Sequence, residues 1–594
     1  MYFKARHATF LPLILFATSV VFAAGKPEVV IDPSGLSPEI LKSVNDGISA
    51  VVRLADDQDG GEAERIRSRG RDAVISALAT QGYFAPKVTL EVGEDVGGET
   101  WDIYIDLGKV AKVASVENRF AGSIIGAQYA QRVASLKKNW GLPVEADFIN
   151  ARWSSSKSAL LDGVMDRDFY LARMTHSQAV VNPETSTVNT VTEVDSGPAV
   201  TLGNIEVIGL RRVPESLVRR YIRYKPGDPY TQEQLDDWQQ ALQSTNFFRG
   251  AFVSLKTPEG PDVYSREQVE LPVSVRVTEG PASSVAGSLG VDDISGIRVE
   301  GLYTQNVVWG LPIIMETGAG VDFKSQRAFL DFTLPPNYDG SRDSFGVMAR
   351  HSDIQNEEVT RFGLGWKRKR EFKLDPESRV DYESNWGVLV AYDSIKRENE
   401  ARYSLPTVVG TWDFLRRDIN DRYDPRDGNL IALGLGAGMT LNKQQTFGRV
   451  SLRVQKWWPV GKRDVFTLRA EAGQVVGAKN TPIPDDFGYR TGGARSIRGY
   501  RYNEFGRDTG NAVVGTRSLG VVGAQYMHYF DDRFGMSVFL DAGDAAPSFR
   551  EMKIAVGYGV GAIVKTPAGP LSLDLAWGQR DHKLRLHFSL GVAF

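Results

Sequence analysis

Arg498 is the residue whose type and setting most strongly specify an interaction. It lies in Thr491-Gly-Gly-Ala-Arg-Ser-Ile-Arg-Gly-Tyr-Arg-Tyr502, where paired glycines permit a tight turn and Gly499-Tyr500 follows the arginine. A guanidinium held away from water needs a carboxylate, ideally one that takes both arms of its fork. Two carboxylates recur downstream in regular settings: Asp541 in Phe539-Leu-Asp-Ala-Gly543, and Asp574 in Gly569-Pro-Leu-Ser-Leu-Asp-Leu-Ala576. An Arg498–Asp541 pair would latch one segment onto another. The same residues also fit a solvated loop arginine and two pore-lining aspartates. This is binding chemistry, and the chain carries no Gly-x-Ser-x-Gly elbow, Walker loop or HExxH helix for anything else. It has no cysteine, and its six histidines (7, 176, 351, 528, 582, 587) lack metal-ligand spacing. No catalytic, cofactor-binding or metal residue is therefore expected, and no enzyme.

The elements that must position these residues are strands. In Leu584-Arg-Leu-His-Phe-Ser-Leu-Gly-Val-Ala-Phe594, every second residue is apolar and those between are polar or small. About ten residues suffice for a tilted strand to cross a bilayer, one face to lipid and one to a lumen. From Pro281 onward sixteen such segments can be counted, from 283–292 to 584–594, with 402–413, 428–439, 513–529, 533–543 and 552–565 among them. An even count puts both ends of the barrel on one side. The longest connection, 476–512, becomes an outside loop, the sixth, and carries Arg498. Strand parity turns Phe539, Asp541 and Asp574 inward, together with Gly434, Gly436, Gly438, Gly557, Gly559 and Gly561. Glycine in a strand marks close approach of another backbone, so the loop is expected to fill the lumen. Trp309, Trp412, Trp457, Trp458, Tyr529 and Phe530 fall near strand ends on one side, as an interfacial girdle requires.

Residues 29–280 differ. They repeat with a period of about 80, the mark of docked modules. Gly82-Tyr83-Phe84, Asp168-Phe169-Tyr170 and Asn246-Phe247-Phe248 each follow a helical stretch, and Trp101–Gly108, Val191–Gly197 and Val273–Gly280 are alternating strands ending at glycine. The third unit reads β-α-α-β-β, with helices over about 214–223 and 232–242, the second capped by Thr231. Open edges of such sheets can accept an extended chain.

The N-terminus reads as a secretory leader. Lys4, Arg6 and His7 precede the apolar run Phe10–Phe22, which is short of the ~20 residues a spanning helix needs. A formal net charge of -3 gives no basis for nucleic-acid binding.

Ser496-Ile-Arg-Gly-Tyr500 followed by Phe539-Leu-Asp-Ala-Gly543 resembles the paired signature of the BamA/TamA superfamily of barrel-assembly and polypeptide-export proteins. Thr566–Ala576 resembles that superfamily's penultimate-strand motif, and Asp421-Arg-Tyr-Asp-Pro-Arg-Asp-Gly428 its mid-barrel turn. The repeated units resemble POTRA domains. Their number, and Arg69–Pro86, are similar to the TamA branch, and no segment before Pro33 resembles the plug helix of two-partner secretion pores. Phe588, Val592 and Phe594 resemble the C-terminal barrel signal, although Ser589 stands where glycine is common.

The resemblance implies α+β periplasmic POTRA repeats (β-α-α-β-β) followed by a 16-stranded antiparallel transmembrane β-barrel. The division is a signal peptide at 1–24, POTRA domains at 25–108, 109–197 and 198–280, and the barrel at 281–594. It implies a latch of Arg498, Gly499, Tyr500, Phe539, Asp541, Gly543 and Asp574. The implied role is non-enzymatic insertion and folding of outer-membrane or autotransporter proteins in the bacterial outer membrane. The implied partners are a TamB-like inner-membrane-anchored protein, unfolded clients and the lipid bilayer, with no cofactor and no nucleic acid. Strands 283–292 and 584–594 would form a seam that opens sideways, weakened by Gly287 and Gly290. Two-partner-secretion-type export, or TamB-linked phospholipid transport to the outer membrane, are the alternative roles.

Overall fold

The computed structural model describes residues 27–53, 60–95, 98–258, 260–292, 296–510, 512–567 and 569–590. The leader read at 1–24, and Val592 and Phe594 of the C-terminal signal, lie outside the described residues. The chain divides into two compact units: residues up to Glu206 with Tyr224–Asp237 and Val253–Ser274, and Val207–Arg223 with Trp238–Phe252 and Val275 onward.

Three β-α-α-β-β repeats precede the barrel. The first is β1 (Glu28–Ile31), α1 (Pro38–Val52), α2 (Gly60–Thr80), β2 (Lys87–Asp95) and β3 (Gly98–Asp106). The second is β4 (Lys112–Ala121), α3 (Ala130–Lys138), α4 (Asn150–Met165), β5 (Arg173–Asn182) and β6 (Thr187–Asp195). The third is β7 (Ala199–Ile208), α5 (Glu215–Tyr221), α6 (Gln232–Gln243), β8 (Phe248–Leu255) and β9 (Gln268–Glu279). Each makes a three-stranded sheet with its last strand in the middle. Local signals place the helices. The Ser37 hydroxyl caps α1 by accepting from Ile40 N, and Pro38 opens the helix. Ile40, Val44 and Ile48 then recur at helical spacing and bury against Val74 and Leu78 of α2 and Trp101 and Ile103 of β3. Thr231 Oγ1 accepts from Gln234 N at 3.3 Å and caps α6. Helix α5 is shorter than expected, because Ile222 already has extended backbone.

The barrel wall begins with β10 (Ser283–Asp292), β11 (Gly296–Val308), β12 (Leu311–Val321), β13 (Ser325–Thr333), β14 (Arg342–Ile354) and β15 (Glu357–Phe372). It continues with β16 (Asp381–Arg397), β17 (Tyr403–Ile419), β18 (Gly428–Thr440), β19 (Thr446–Val460) and β20 (Asp464–Gly477). The chain then leaves the wall for a loop, 478–517, whose small hairpin pairs β21 (Arg507–Asp508) with β22 (Val513–Val514). It returns as β23 (Ser518–Tyr529), β24 (Phe534–Ala546), β25 (Ala555–Thr566), β26 (Gly569–Gly578) and β27 (Lys583–Leu590). These sixteen wall strands form one antiparallel sheet in sequence order. Such a ladder satisfies backbone groups that lipid cannot.

Two expectations need correction. Residues 513–517 do not open the twelfth wall strand: Val513 and Val514 pair inside the loop, Thr516 bridges to Tyr489, and the wall resumes at Ser518. Nor do the six aromatics form one girdle. Neighbours along a strand point to opposite faces. Trp458 and Phe530 are exposed, whereas Trp457 and Tyr529 are buried inside, at 2% and 1% exposure. Trp412 faces outward with Trp386, their rings stacked at 5.6 Å.

In the first repeat Glu99 accepts from Arg67 Nε at 2.7 Å and from Trp101 Nε1 at 2.6 Å. The bond to Arg67, then that to Trp101, hold its carboxyl below its ordinary value of 4.5 against the opposing effect of burial. A depressed carboxylate stabilises the fold above its unfolded pKa and loses that contribution as pH falls through the native one. Glu99→Gln should therefore cost about 1 kcal/mol at neutral pH. Thermal melts at falling pH should show the difference from the parent shrinking below pH 4.5.

Candidate functional site: a loop latched inside the barrel

Parity along β24 and β26 brings Asp541 and Asp574 to the lumen, and the loop lowers Arg498 between them. Arg498 Nε donates to Asp541 Oδ2 at 2.7 Å and Nη2 donates to Oδ1 at 3.2 Å, a forked pair. Its Nη1 donates to Asp574 Oδ2 at 3.2 Å, and its backbone N to Asp541 Oδ2 at 3.2 Å. The guanidinium carbon stands 3.5 Å over the Phe539 ring. Both aspartates and the arginine are nearly inaccessible, with side-chain exposures of 1%, 6% and 8%. Breaking such a buried pair by removing one partner costs about 3–5 kcal/mol.

The neighbours of Arg498 complete the knot. Tyr500, 1% exposed, donates its hydroxyl to Val556 O at 2.8 Å and accepts from Arg580 N at 2.9 Å. Gly499 has φ +91°, and a Cβ there would stand 2.8 Å from Gly578 N and 2.9 Å from Trp577 O. On the facing strand a Cβ at Gly557 would stand 1.8 Å from Arg498 O, so only glycine admits the loop. Gly436 is likewise covered by the loop's Phe487, but Gly434, Gly438 and Gly561 face wall side chains, and Gly559 the Leu575 carbonyl and the Phe539 ring of the wall. Gly543 packs against its own neighbours in β23. Phe588, half-buried, pairs with Leu573.

Three wall residues absent from the sequence reading of the latch also hold the loop. His587 Nε2 accepts from Gly499 N at 2.9 Å, Arg585 Nη1 donates to Gly499 O at 2.5 Å, and Arg469 donates to Arg495 O and Ser496 O at 2.6 and 2.5 Å. His587 and Arg585 lie on β27, so the knot grips the last wall strand. Their inward parity was readable, but nothing local tied them to the loop.

A second anchor lies across the lumen. Arg361 of β15 makes a forked pair with Asp393 of β16, with both bonds at 2.6 Å. It also reaches Asp486 of the loop, through Nη1 at 2.8 Å and Nη2 at 2.9 Å. Arg490 joins Glu357 at 2.5 Å and also Asp485, while Arg449 donates to Tyr489 Oη at 3.0 Å. Acidic Asp485-Asp486 in the loop was the available signal, but its wall partner Arg361 lies 125 residues away in sequence. The loop thus spans the lumen between two ion-paired ends.

A sixteen-strand barrel with a latched lumenal loop, preceded along the chain by β-α-α-β-β repeats, defines a class of outer-membrane barrels. Residues 312–594 match the Omp85 superfamily domain, and residues 200–280 match POTRA, described as a surface antigen variable number repeat. These matches assign residues 312–594 to the Omp85 superfamily domain and residues 200–280 to a POTRA domain. That combination implies an outer membrane with the N-terminal domains in the periplasm, and no described helix is long and apolar enough to cross a membrane. The fold is similar to BamA from Haemophilus ducreyi lacking POTRA domains 1–3, with a TM-score of 0.67 at 15% identity over 81% of this chain and 100% of that one. A weaker likeness, to CdiB from Acinetobacter baumannii, covers 81% of this chain and 89% of that one at 12% identity with a TM-score of 0.42. Outer envelope protein 80, chloroplastic, from Arabidopsis thaliana is 33% identical over 153 residues, 25% of this chain. The match spans 20% of that curated relative's length.

Arg498→Ala and Gly557→Val should each free the loop's Arg498 end, read as new protease cleavage within 478–517 while the barrel keeps its heat-shifted gel mobility. Arg361→Ala should instead expose the segment around Asp486 first and leave Arg498 protected. Identical cleavage maps for both classes would contradict two independent anchors.

Proposed function

We propose that this protein inserts and folds other outer-membrane or autotransporter proteins in a bacterial outer membrane, without enzymatic chemistry. The observation that carries this reading is the seam. Strand β10 is fully laddered with β11 on one edge. Among the described residues no ladder joins its other edge to β27. Every residue from Ser283 to Gly290 is exposed, including Val285 and Leu289 at 81% and 76%. Unpaired strand edges template the addition of another strand. A client strand arriving from the periplasmic repeats would find both a free edge and a path to lipid.

The latch fits the same role. Because the knot grips β27 through His587 and Arg585, loop position and seam geometry are mechanically joined. We infer that three modules and the sequence motifs favour the TamA branch, with a TamB-like inner-membrane-anchored protein as partner. Export of one dedicated partner and TamB-linked phospholipid transport are the competing roles.

The chain has no native cysteine, so the seam can be locked cleanly. Gly287→Cys combined with Leu586→Cys, bridged by a cleavable bifunctional thiol reagent, should abolish client insertion in reconstituted vesicles, and reduction should restore it. Unchanged insertion with the bridge in place would overturn the lateral route. Failure to co-purify a TamB-like protein from membranes would remove the branch assignment while leaving the seam reading intact.

A further inference from the structure

We propose that the outer wall of β15–β17, near its periplasmic end, binds the phosphate headgroups of phospholipids. The cations and rings alternate rung by rung on the lipid-facing side. Arg368 pairs with Trp386, which pairs with Trp412. One rung on, Arg370, Ser384 and Phe414 align, and then Phe372, Tyr382 and Arg416. The rings stack along this arc, Trp386 on Trp412 at 5.6 Å and Phe372 on Tyr382 at 5.3 Å.

The face is outward because Trp386, Val388 and Val390 share it at 52%, 43% and 45% exposure, while Lys367 and Lys369, on either side of Arg368, turn inward. A guanidinium on a lipid-facing strand is costly at the bilayer midplane and nearly free at the interface. The arc therefore marks the interface, and its aromatics are what that depth selects.

Intramolecular partners hold these arginines without exhausting them. Arg368 gives Nε and Nη2 to Asp343 at 2.8 and 2.9 Å and stays 47% exposed. Arg370 gives Nε to Asp339 O at 3.0 Å, with the Asp339 carboxylate at 3.8 Å, sits 4.9 Å from the Phe372 ring centroid and stays 44% exposed. Guanidinium forks with spare donors match phosphate oxygens, and the apolar wall above suits acyl chains. By contrast, the described lipid-facing positions of β10, β26 and β27 carry no charged side chain. Other strands also carry outward charge, Lys456 beside Trp458 on β19 among it, but the β15–β17 arc joins two half-exposed guanidiniums to stacked rings, which suits a headgroup rather than bulk hydrocarbon.

The test uses the full-length protein in nanodiscs of phosphatidylcholine and phosphatidylglycerol, with retained lipid identified by native mass spectrometry. The wild type should enrich phosphatidylglycerol over the bulk composition. Arg368→Gln/Arg370→Gln should lose that enrichment by about thirtyfold, since each interfacial arginine contributes roughly a factor of five towards anionic lipid. Lys367→Gln/Lys369→Gln, on the inner face, should retain it. Heat-shifted mobility reports that each variant is folded; should the outer double variant lack it, Arg370→Gln alone should show a smaller loss in the same direction. A folded outer variant with unchanged enrichment, or a wild type with none, overturns the proposal. So does displacement of the lipid by soluble glycerol phosphate, which would mark a free-anion site.

Discussion

Lipid offers no hydrogen bonds, and every other feature of the C-terminal half follows from that constraint. Sixteen strands must pair edge to edge, and their side chains must alternate between hydrocarbon and lumen. Alternation then supplies an interior wall that is polar, partly charged and studded with glycine. Such a wall is stable only if its charges meet partners, because an isolated ion away from water is heavily penalised. The loop 478–517 brings those partners from the chain itself.

The two loop anchors share one chemical logic. Each centres on a forked arginine–aspartate pair with the arginine buried, Arg498 with Asp541 and Arg361 with Asp393. They differ in which member the loop contributes: the arginine at one end, and the acidic Asp486 at the other. Buried pairs of this kind confer position more than net stability. A loop fixed at both ends is positioned across the lumen, and a change at one end need not release the other. The end near β27 holds the last strand of the ladder through His587 and Arg585, which gives the loop a physical route to influence that strand.

Much of the fold was legible because its signals are local. Alternation in residues 584–590 and in β24 and β26 placed Asp541 and Asp574 inward without any knowledge of contacts. Thr231 and the aromatic pairs located the helix–strand junctions of the repeats. Where reading failed, a local pattern had two structural meanings. Val513 and Val514 are good strand residues, yet they pair within the loop hairpin. Trp457 and Trp458 are one residue apart, so a single girdle could not hold both. Arg361, Asp393, His587 and Arg469 carried no distinguishing local sign, since any inward polar residue of a barrel looks alike until its neighbour across the lumen is known.

The sequence by itself determined the strand periodicity, the β-α-α-β-β order of the third repeat, the inward parity of Asp541 and Asp574 and the motif that carries Arg498, because each depends on spacing along a single chain. Only the tertiary structure decided which inward charges meet, that the loop reaches both sides of the lumen, and that β10 keeps a free edge among the described residues. Those depend on distances between segments far apart in sequence, which no periodicity encodes.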